Sequence, residues 1–141
     1  MNFMIEKIFI DTNIFIYAYT KDCEHKNGVS CDLLRDNVSR ENIFISVQIL
    51  NEFYSIMAKY KRSHSQIEYY LKEIIEQVNV ISLNLETVEN CLKIKEKYRF
   101  SWWDSLVLSS ALESNCSILY SEDLQHEQVI ESSLKIINPF K

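Results

Sequence analysis

Residues that break helices and strands are nearly absent from this sequence. Its 141 residues include one glycine, Gly28, and one proline, Pro139. A chain with a single glycine carries neither a G-x-G-x-x-G motif nor a P-loop, which excludes nucleotide binding by those two routes. It also has few positions suited to tight turns. We therefore expect helices with short connections, and not a β-sandwich.

The composition is that of a globular protein. Hydrophobic residues make up 47% of the chain and aromatic residues 12%, which excludes a disordered chain. The length predicts one domain, residues 1–141, with a substantial core. No stretch approaches the roughly 20 apolar residues of a membrane span, and charged residues interrupt the apolar N-terminal run, unlike in a signal peptide. We expect a cytoplasmic protein with no membrane contact.

The cysteines argue against a zinc site, and the net charge argues against one kind of nucleic-acid-binding surface. Cys23, His25 and Cys31 lie close in sequence, but no second ligand pair completes a zinc site, so we predict reduced thiols. The net charge of −5 argues against nonspecific nucleic-acid binding through a broadly basic surface. It does not exclude a nucleic-acid enzyme, because bound cations offset clustered carboxylates.

Apolar periodicity predicts alternating strands and helices. Such alternation favours a parallel sheet covered on both faces. Residues 6–11 are predicted to form a strand, and its apolar run, Ile8-Phe9-Ile10, covers both faces, as expected of a central parallel strand. The predicted strands are 6–11, 42–45, 78–83, 117–120 and 134–137. The predicted helices are 13–20, 28–39, 47–60 after the N-cap Ser46, a helix from Ser63 or Ser65 to about Gln77, 85–98, 102–114 and 125–131.

Four carboxylates fall near one edge of this sheet. Asp11 and Asp123 follow predicted strands, and ligands bind beyond the carboxyl ends of parallel strands. Asp104 and Glu52 lie near the starts of two helices. Taken singly, three of them have ordinary structural roles: Asp11 as an N-cap, Asp104 as a helix-start residue and Glu52 on the surface. Together they cannot converge without raised pKa values or bound cations, and hard oxygen ligands suit Mg²⁺ or Mn²⁺.

The same residues carry a resemblance to a known family. Asp-Thr-Asn follows the apolar first strand, Glu52 lies in QILNEFY, Asp104 lies in WWDSLVLSSAL, and SEDLQH precedes KIINPF. In this order and spacing the motifs resemble a PIN domain over essentially the whole chain. The sequence is most similar to the VapC-type toxin nucleases of bacterial toxin–antitoxin pairs.

The resemblance implies a fold, an activity and a site. The fold is a three-layer α/β/α sandwich with a mainly parallel central sheet, and the activity is that of a Mg²⁺- or Mn²⁺-dependent endoribonuclease. Asn13 is expected to orient Asp11, and Ser121 matches the hydroxyl residue that precedes the last acidic position. The implied catalytic and metal-binding residues are Asp11, Glu52, Asp104 and Asp123.

The sequence departs from the family pattern at its last acidic position. Many members carry an aspartate where this chain has His126. The fourth acid is therefore open between Asp123 and Glu122. His126 itself is open between a surface position and a contact with RNA or metal.

The expected partners are an RNA substrate, a cognate antitoxin protein and a second copy of the chain. Basic clusters at 59–62 and 93–99 are candidates for RNA contact, and Trp102 or Trp103 for base stacking. Aromatic and apolar residues predicted to be exposed near 47–77 favour a homodimer with a groove for an antitoxin helix. The alternatives are a catalytically inactive PIN-like binding module and a housekeeping nuclease. A receiver-like domain and a haloacid dehalogenase fit poorly, since the aspartates that they need are missing.

Overall fold

The computed structural model describes residues 5–141. Short strands alternate with helices along most of the chain, as the apolar periodicity predicts. In chain order the elements are β1 (Ile8–Ile10), α1 (Thr12–Ala18), α2 (Glu24–Val38), β2 (Ile43–Ser46), α3 (Val47–Lys59), α4 (His64–Gln77), β3 (Asn79–Ile81), α5 (Leu85–Tyr98), α6 (Trp102–Glu113), β4 (Ile118–Tyr120), β5 (Val129–Ile130) and β6 (Leu134–Ile137).

The strands form one sheet with the order β3-β2-β1-β4-β6-β5. Every neighbouring pair is parallel except β5 and β6, which are antiparallel. Helices cover the sheet, which confirms the predicted three-layer α/β/α fold with a mainly parallel sheet. Because the parallel strands point the same way, the ends of β1, β2 and β4 meet at one edge.

Strand β1 lies at the centre of the sheet and of the core. Ile8, Phe9 and Ile10 are all buried, as predicted for a strand that is apolar on both faces. Phe9 pairs with Phe44 of β2 on one side and with Leu119 of β4 on the other. The segment that follows β1 is therefore held at a fixed position on the sheet edge.

Side-chain caps set the starts of several helices. Ser63, and not Ser65, caps α4 by accepting a hydrogen bond from the backbone N–H of Gln66. Asn84 caps α5 in a reciprocal capping box with Thr87. These bonds satisfy N–H groups that have no partner inside the helix. They explain why the predicted starts of these helices are close to the observed ones.

The predicted helix over 125–131 is wrong. Part of this segment, Val129–Ile130, is strand β5. The backbone N–H of Glu127, which has a positive φ of 71°, donates to the carbonyl of Ile136 at 2.7 Å. His126 Nδ1 accepts a hydrogen bond from the N–H of Asn138 at 2.9 Å. Pairing with the last strand thus replaces the helical hydrogen bonds that the local pattern suggested.

The chain makes its turns with residues other than glycine. The positive-φ residues of the described chain are Glu41, Lys61, Arg99, Asn115, Glu127, Glu131 and Ser132. Several of them follow the last turn of a helix, where a left-handed residue commonly ends it. The scarcity of glycine therefore did not prevent tight connections.

The aromatic surface near 47–77 is only partly as predicted. Tyr54, Tyr60 and Tyr69 are exposed. Tyr70 and Leu71 are instead half-buried and pack against the core, and the ring of Tyr70 lies 4.6 Å from that of Tyr19. Across residues 5–141, none of the helices is both long and apolar enough to cross a membrane.

Candidate active site

Asp11 joins the ends of β1 and β4. Its backbone N–H donates to the carbonyl of Tyr120 at 3.0 Å. Its side chain caps α1: one oxygen accepts the N–H of Thr12 at 2.8 Å, and the other accepts the hydroxyl of Ser121 at 2.9 Å. Asp11 is 8% exposed. The carboxylate is thus fixed by two neutral donors, and no salt bridge within residues 5–141 reaches it.

Burial disfavours the charged form of Asp11. Loss of solvent raises its pKa from 3.8 to about 6, against the opposing effect of its bonds to Thr12 and Ser121. The negative charges of Glu52 and Asp123 raise the pKa further. The group is therefore a buried acid with negative neighbours, a setting in which a bound cation stabilises the ionised form.

Glu52 enters the same edge from helix α3. One of its oxygens accepts the hydroxyl of Thr12 at 2.6 Å, and the other accepts the side-chain amide of Gln48 at 2.7 Å. The Gln48 amide also donates to the backbone carbonyl of Trp103 at 3.2 Å. Gln48 and Thr12 thus hold Glu52 in place. The sequence contained a signal for Gln48, because residues four apart on a helix are neighbours.

Asn13 contacts Asp123 and not Asp11. Its amide donates to an oxygen of Asp123 at 3.0 Å and more weakly to Glu122 at 3.5 Å. Both oxygens of Asp11 are already bonded to Thr12 and Ser121, so the expected orientation of Asp11 by Asn13 is replaced by these two residues. Partial loss of solvent, followed by the charges of Glu122, Asp104 and Glu52, raises the pKa of Asp123.

Asp104 completes the acidic group from the first turn of α6. Its backbone N–H donates to the hydroxyl of the N-cap Ser101 at 3.1 Å. Its half-buried side chain adds to the negative potential at Asp123. The electrostatic couplings therefore link all four predicted acids. We call Asp11, Glu52, Asp104 and Asp123 the acidic cluster.

Glu122 belongs to a different interaction. It accepts hydrogen bonds from Lys26 at 2.8 Å and from the hydroxyl of Tyr17. The Lys26 ammonium also lies over the rings of Tyr17 and Phe140, at 4.9 and 5.3 Å from their centroids. Glu122 already has a cationic partner, whereas Asp123 has none among the salt bridges of residues 5–141. Of the two candidates for the fourth acid, the geometry favours Asp123. No sequence pattern marked Lys26, which is remote from Glu122 in the chain.

The donor set of the acidic cluster fits Mg²⁺ or Mn²⁺ chemically. Carboxylates flanked by the hydroxyls of Thr12 and Ser121 are hard oxygen ligands. As the side chains stand in residues 5–141, no three Asp, Glu, His or Cys groups converge on a single ion position. Mg²⁺ commonly uses one or two carboxylates and fills its other positions with water and substrate phosphate. A cage of three protein ligands is therefore not a requirement.

The other candidates lie outside the cluster. The His126 side chain accepts the hydrogen bond from the backbone N–H of Asn138 that is described above. In the second basic stretch, Lys95 donates to the carbonyl of Phe100 at 2.9 Å and Lys97 pairs with Glu131 at 3.1 Å. Trp102 is half-buried and Trp103 is 63% exposed. Of the two tryptophans, Trp103 is the one available for stacking.

The sequence of residues 8–131 matches the family model of the PIN domain. The chain belongs to the PIN domain family. No curated protein is significantly similar to it in sequence. The predicted resemblance to a PIN domain is thus confirmed by the family model and by the fold.

Solved structures share this fold at low sequence identity. A chain in the complex of VapBC2 from Rickettsia felis with a DNA fragment from their promoter has a TM-score of 0.70 at 17% identity, covering 93% of this PIN domain chain and 98% of that one. Mycobacterium tuberculosis VapC20 is described as a toxin that cleaves the sarcin–ricin loop. Its TM-score is 0.68 at 13% sequence identity, and the match covers 82% of this chain and 88% of VapC20. A chain of DNA-bound VapBC from Salmonella typhimurium has a TM-score of 0.67 at 16% sequence identity. That match covers 94% of this chain and 97% of the other.

Proposed function

We propose that this PIN domain protein is a Mg²⁺- or Mn²⁺-dependent endoribonuclease and the toxin of a toxin–antitoxin pair acting in the cytoplasm. The observation that carries the proposal is the acidic cluster. Its carboxylates lie at one sheet edge. Neutral hydrogen-bond donors hold those of Asp11, Glu52 and Asp123, and no lysine or arginine pairs with any of the four among residues 5–141. Negative charges gathered in this way are the usual setting for a catalytic cation.

The reaction we propose is hydrolysis of an RNA phosphodiester. A bound Mg²⁺ or Mn²⁺ would polarise the phosphate and lower the pKa of an attacking water. Asp11, Glu52, Asp104 and Asp123 would supply the protein ligands of the ion, and Glu52, which is half-buried, would help take the proton of the water. In-line attack would leave a 5′-phosphate and a 3′-hydroxyl.

The neutral residues around the cluster have positioning roles. Thr12 bridges two acids, because its backbone N–H bonds Asp11 while its hydroxyl bonds Glu52. Ser121 fixes Asp11 from the β4 side. Such groups orient ligands that bind a metal, and their loss commonly lowers activity or metal affinity about 10- to 100-fold.

The toxin role is supported by the fold and by the surface. Solved structures of similar fold include the two DNA-bound VapBC structures described above and a toxin–antitoxin complex from Klebsiella pneumoniae. Tyr54 on α3, Tyr60 just after it and Tyr69 on α4 are exposed. Exposed aromatic surface favours association with another protein surface. We propose a homodimer that binds a protein antitoxin. Light scattering that gives a monomer at micromolar concentration, with and without the antitoxin, would contradict this assembly.

The test of the enzyme uses Asp11→Asn, which keeps the shape of the side chain and removes its charge. Purified wild type should cleave a structured RNA with Mn²⁺ and lose that activity with EDTA. Asp11→Asn should cleave the same RNA at least roughly two orders of magnitude more slowly. The matched control is Asp22→Asn, which changes an exposed aspartate outside the cluster and should cleave like wild type.

The outcomes separate the enzyme from its alternatives. Equal cleavage by wild type and Asp11→Asn would identify a contaminating nuclease and refute the enzyme. If neither protein cleaves total RNA or tRNA, while both bind a partner equally, the chain acts as a binding module. Growth arrest on expression that disappears with Asp11→Asn supports the toxin, whereas cleavage without arrest supports a housekeeping nuclease.

A further inference from the structure

A groove of about 480 Å³ lies beside the acidic cluster, between α3 and α6. Val47, Leu83 and Leu106 contribute apolar surface to it, and Trp103 forms part of its wall. Glu52 belongs to both the groove and the cluster. Any group bound in the groove therefore lies next to the position proposed for the scissile phosphate.

The side chain of Trp103 is exposed, although a hydrogen bond holds its backbone in place. Its side chain is 63% exposed, which leaves much of a large apolar ring in water. Its backbone carbonyl accepts a hydrogen bond from the amide of Gln48, and the same amide bonds Glu52. One buried glutamine thus fixes the position of the tryptophan backbone relative to a carboxylate of the cluster.

The charges around the groove restrict what can bind there. No lysine or arginine lines it, and Glu52 stands at the side of the cluster. Phosphate groups are bound mainly through cations, so the groove itself is unsuited to the RNA backbone. The flat face of a base is uncharged and can stack on tryptophan. The polar edge of the same base can hydrogen-bond to the exposed side chains of Asn51 and Ser55.

We propose that the groove binds one unpaired base of the substrate RNA, stacked on Trp103, next to the phosphodiester that is cleaved. The proposal rests on the function proposed above and assigns to that site a groove and a tryptophan that bind a base. In a duplex the bases are stacked on one another and unavailable to a side chain. The groove can therefore accept a base only where the RNA is unpaired next to the point of cleavage.

The test measures RNA binding separately from cleavage. In an Asp11→Asn background with Mg²⁺ present, fluorescence anisotropy follows a labelled short single-stranded RNA and the same RNA annealed to its complement. Trp103→Leu should weaken binding of the single strand about tenfold or more, while Trp103→Phe should retain most of the affinity. The duplex should bind weakly to every variant. The control Leu92→Ala truncates an exposed apolar residue of α5 that is 57% exposed and should bind like the parent.

Cleavage provides a second readout in the chain that retains Asp11. Trp103→Leu should raise KM for a single-stranded substrate about tenfold, with circular dichroism showing an intact fold. Equal single-strand binding and equal KM in Trp103→Leu and its parent would overturn the base-stacking proposal while leaving Asp11-dependent cleavage standing. Equal or tighter binding of the duplex would also overturn it. A Trp103→Leu protein that changes from dimer to monomer, with unchanged RNA binding, would make the groove an interface between copies instead.

Failure of the proposed function has a different signature. If no RNA is cleaved but the single strand still binds through Trp103, the enzyme is refuted and the base site stands. If no RNA probe binds to any variant, the base site is refuted.

Discussion

The charge of Asp11 should make the metal-free protein less stable, and Asp11→Asn should relieve that effect. Burial together with the neighbouring carboxylates raises the Asp11 pKa from 3.8 to about 6. One pKa unit corresponds to about 1.4 kcal/mol. Ionised Asp11 therefore lowers the free energy of unfolding by about 3 kcal/mol relative to its neutral form. The asparagine side chain is neutral at every pH, so the variant avoids this loss.

The pH dependence follows from the direction of the shift. Between about pH 4 and pH 6 the unfolded chain holds fewer protons on Asp11 than the folded chain, so the stability of the wild type falls as pH rises through this window. Below it, Asp11 is neutral in both states. The difference in the free energy of unfolding between Asp11→Asn and wild type should thus be near zero at low pH. It should reach its maximum above about pH 6.

The hydrogen bonds of Asp11 need not be lost in the variant. The asparagine oxygen can accept the N–H of Thr12 as the aspartate does. Its amide can donate to Ser121, whose hydroxyl oxygen already accepts the N–H of Asp123 at 3.3 Å and can turn to accept a second bond. We therefore expect most of the electrostatic gain to remain, about 1–3 kcal/mol.

Urea unfolding in EDTA, followed by circular dichroism over this pH range, measures the effect. Asp11→Asn should be more stable than wild type above about pH 6, and the exposed control Asp22→Asn should change stability by less than about 0.5 kcal/mol. Adding Mg²⁺ should stabilise the wild type and not Asp11→Asn, since a ligand stabilises only the state that binds it. If Asp11→Asn is less stable than wild type in EDTA above this pH, the charge of Asp11 stabilises α1 as an N-cap and our electrostatic reasoning is refuted.

Three further predictions test the fold. Gly28 lies within α2, and a Cβ atom there would meet nothing within 4 Å, so Gly28→Ala should raise the free energy of unfolding by about 1 kcal/mol in urea titrations. Arg99 ends α5 with a φ of 63°, so Arg99→Gly should also stabilise the protein, by roughly 1 kcal/mol in the same assay. Burial raises the pKa of the Cys116 thiol to about 12, whereas Cys23 is exposed, so iodoacetamide at neutral pH should modify Cys23 quickly and Cys116 only after denaturation, as mass spectrometry would show.

Elements with a strong apolar period were predictable from the sequence. The run at 6–11 predicts a central strand because both of its faces are apolar, and β1 is buried accordingly. The segment 125–131 was not predictable in this way. Its conformation depends on pairing with Leu134–Ile137 and on the contact between His126 and Asn138. Local periodicity carries no information about a partner strand.

The position of the acids was predictable for a topological reason. Parallel strands end on the same side, so Asp11 and Asp123 had to reach one edge of the sheet. The contacts that fix the acids were harder to predict. The bond from Thr12 to Glu52 spans 40 residues and the one from Ser121 to Asp11 spans 110. Each depends on how α3 and the loop after β4 are placed in the folded chain.

The structure around Glu122 explains why the two neighbouring acids differ. Glu122 and Asp123 are adjacent in sequence, but Lys26 and Tyr17 bond the first, while the amide of Asn13 bonds the second. A carboxylate that is already paired with an ammonium group gains little from a bound cation, whereas one held only by neutral donors keeps its full charge available. Helix α1 supplies both Asn13 and Tyr17, so this short helix contacts both acids: Tyr17 bonds Glu122, and the Asn13 amide lies closer to Asp123, at 3.0 Å, than to Glu122, at 3.5 Å. The DTN motif thereby does more than provide Asp11: Thr12 links it to Glu52 and Asn13 links it to Asp123, which ties residues from three parts of the chain into one acidic site.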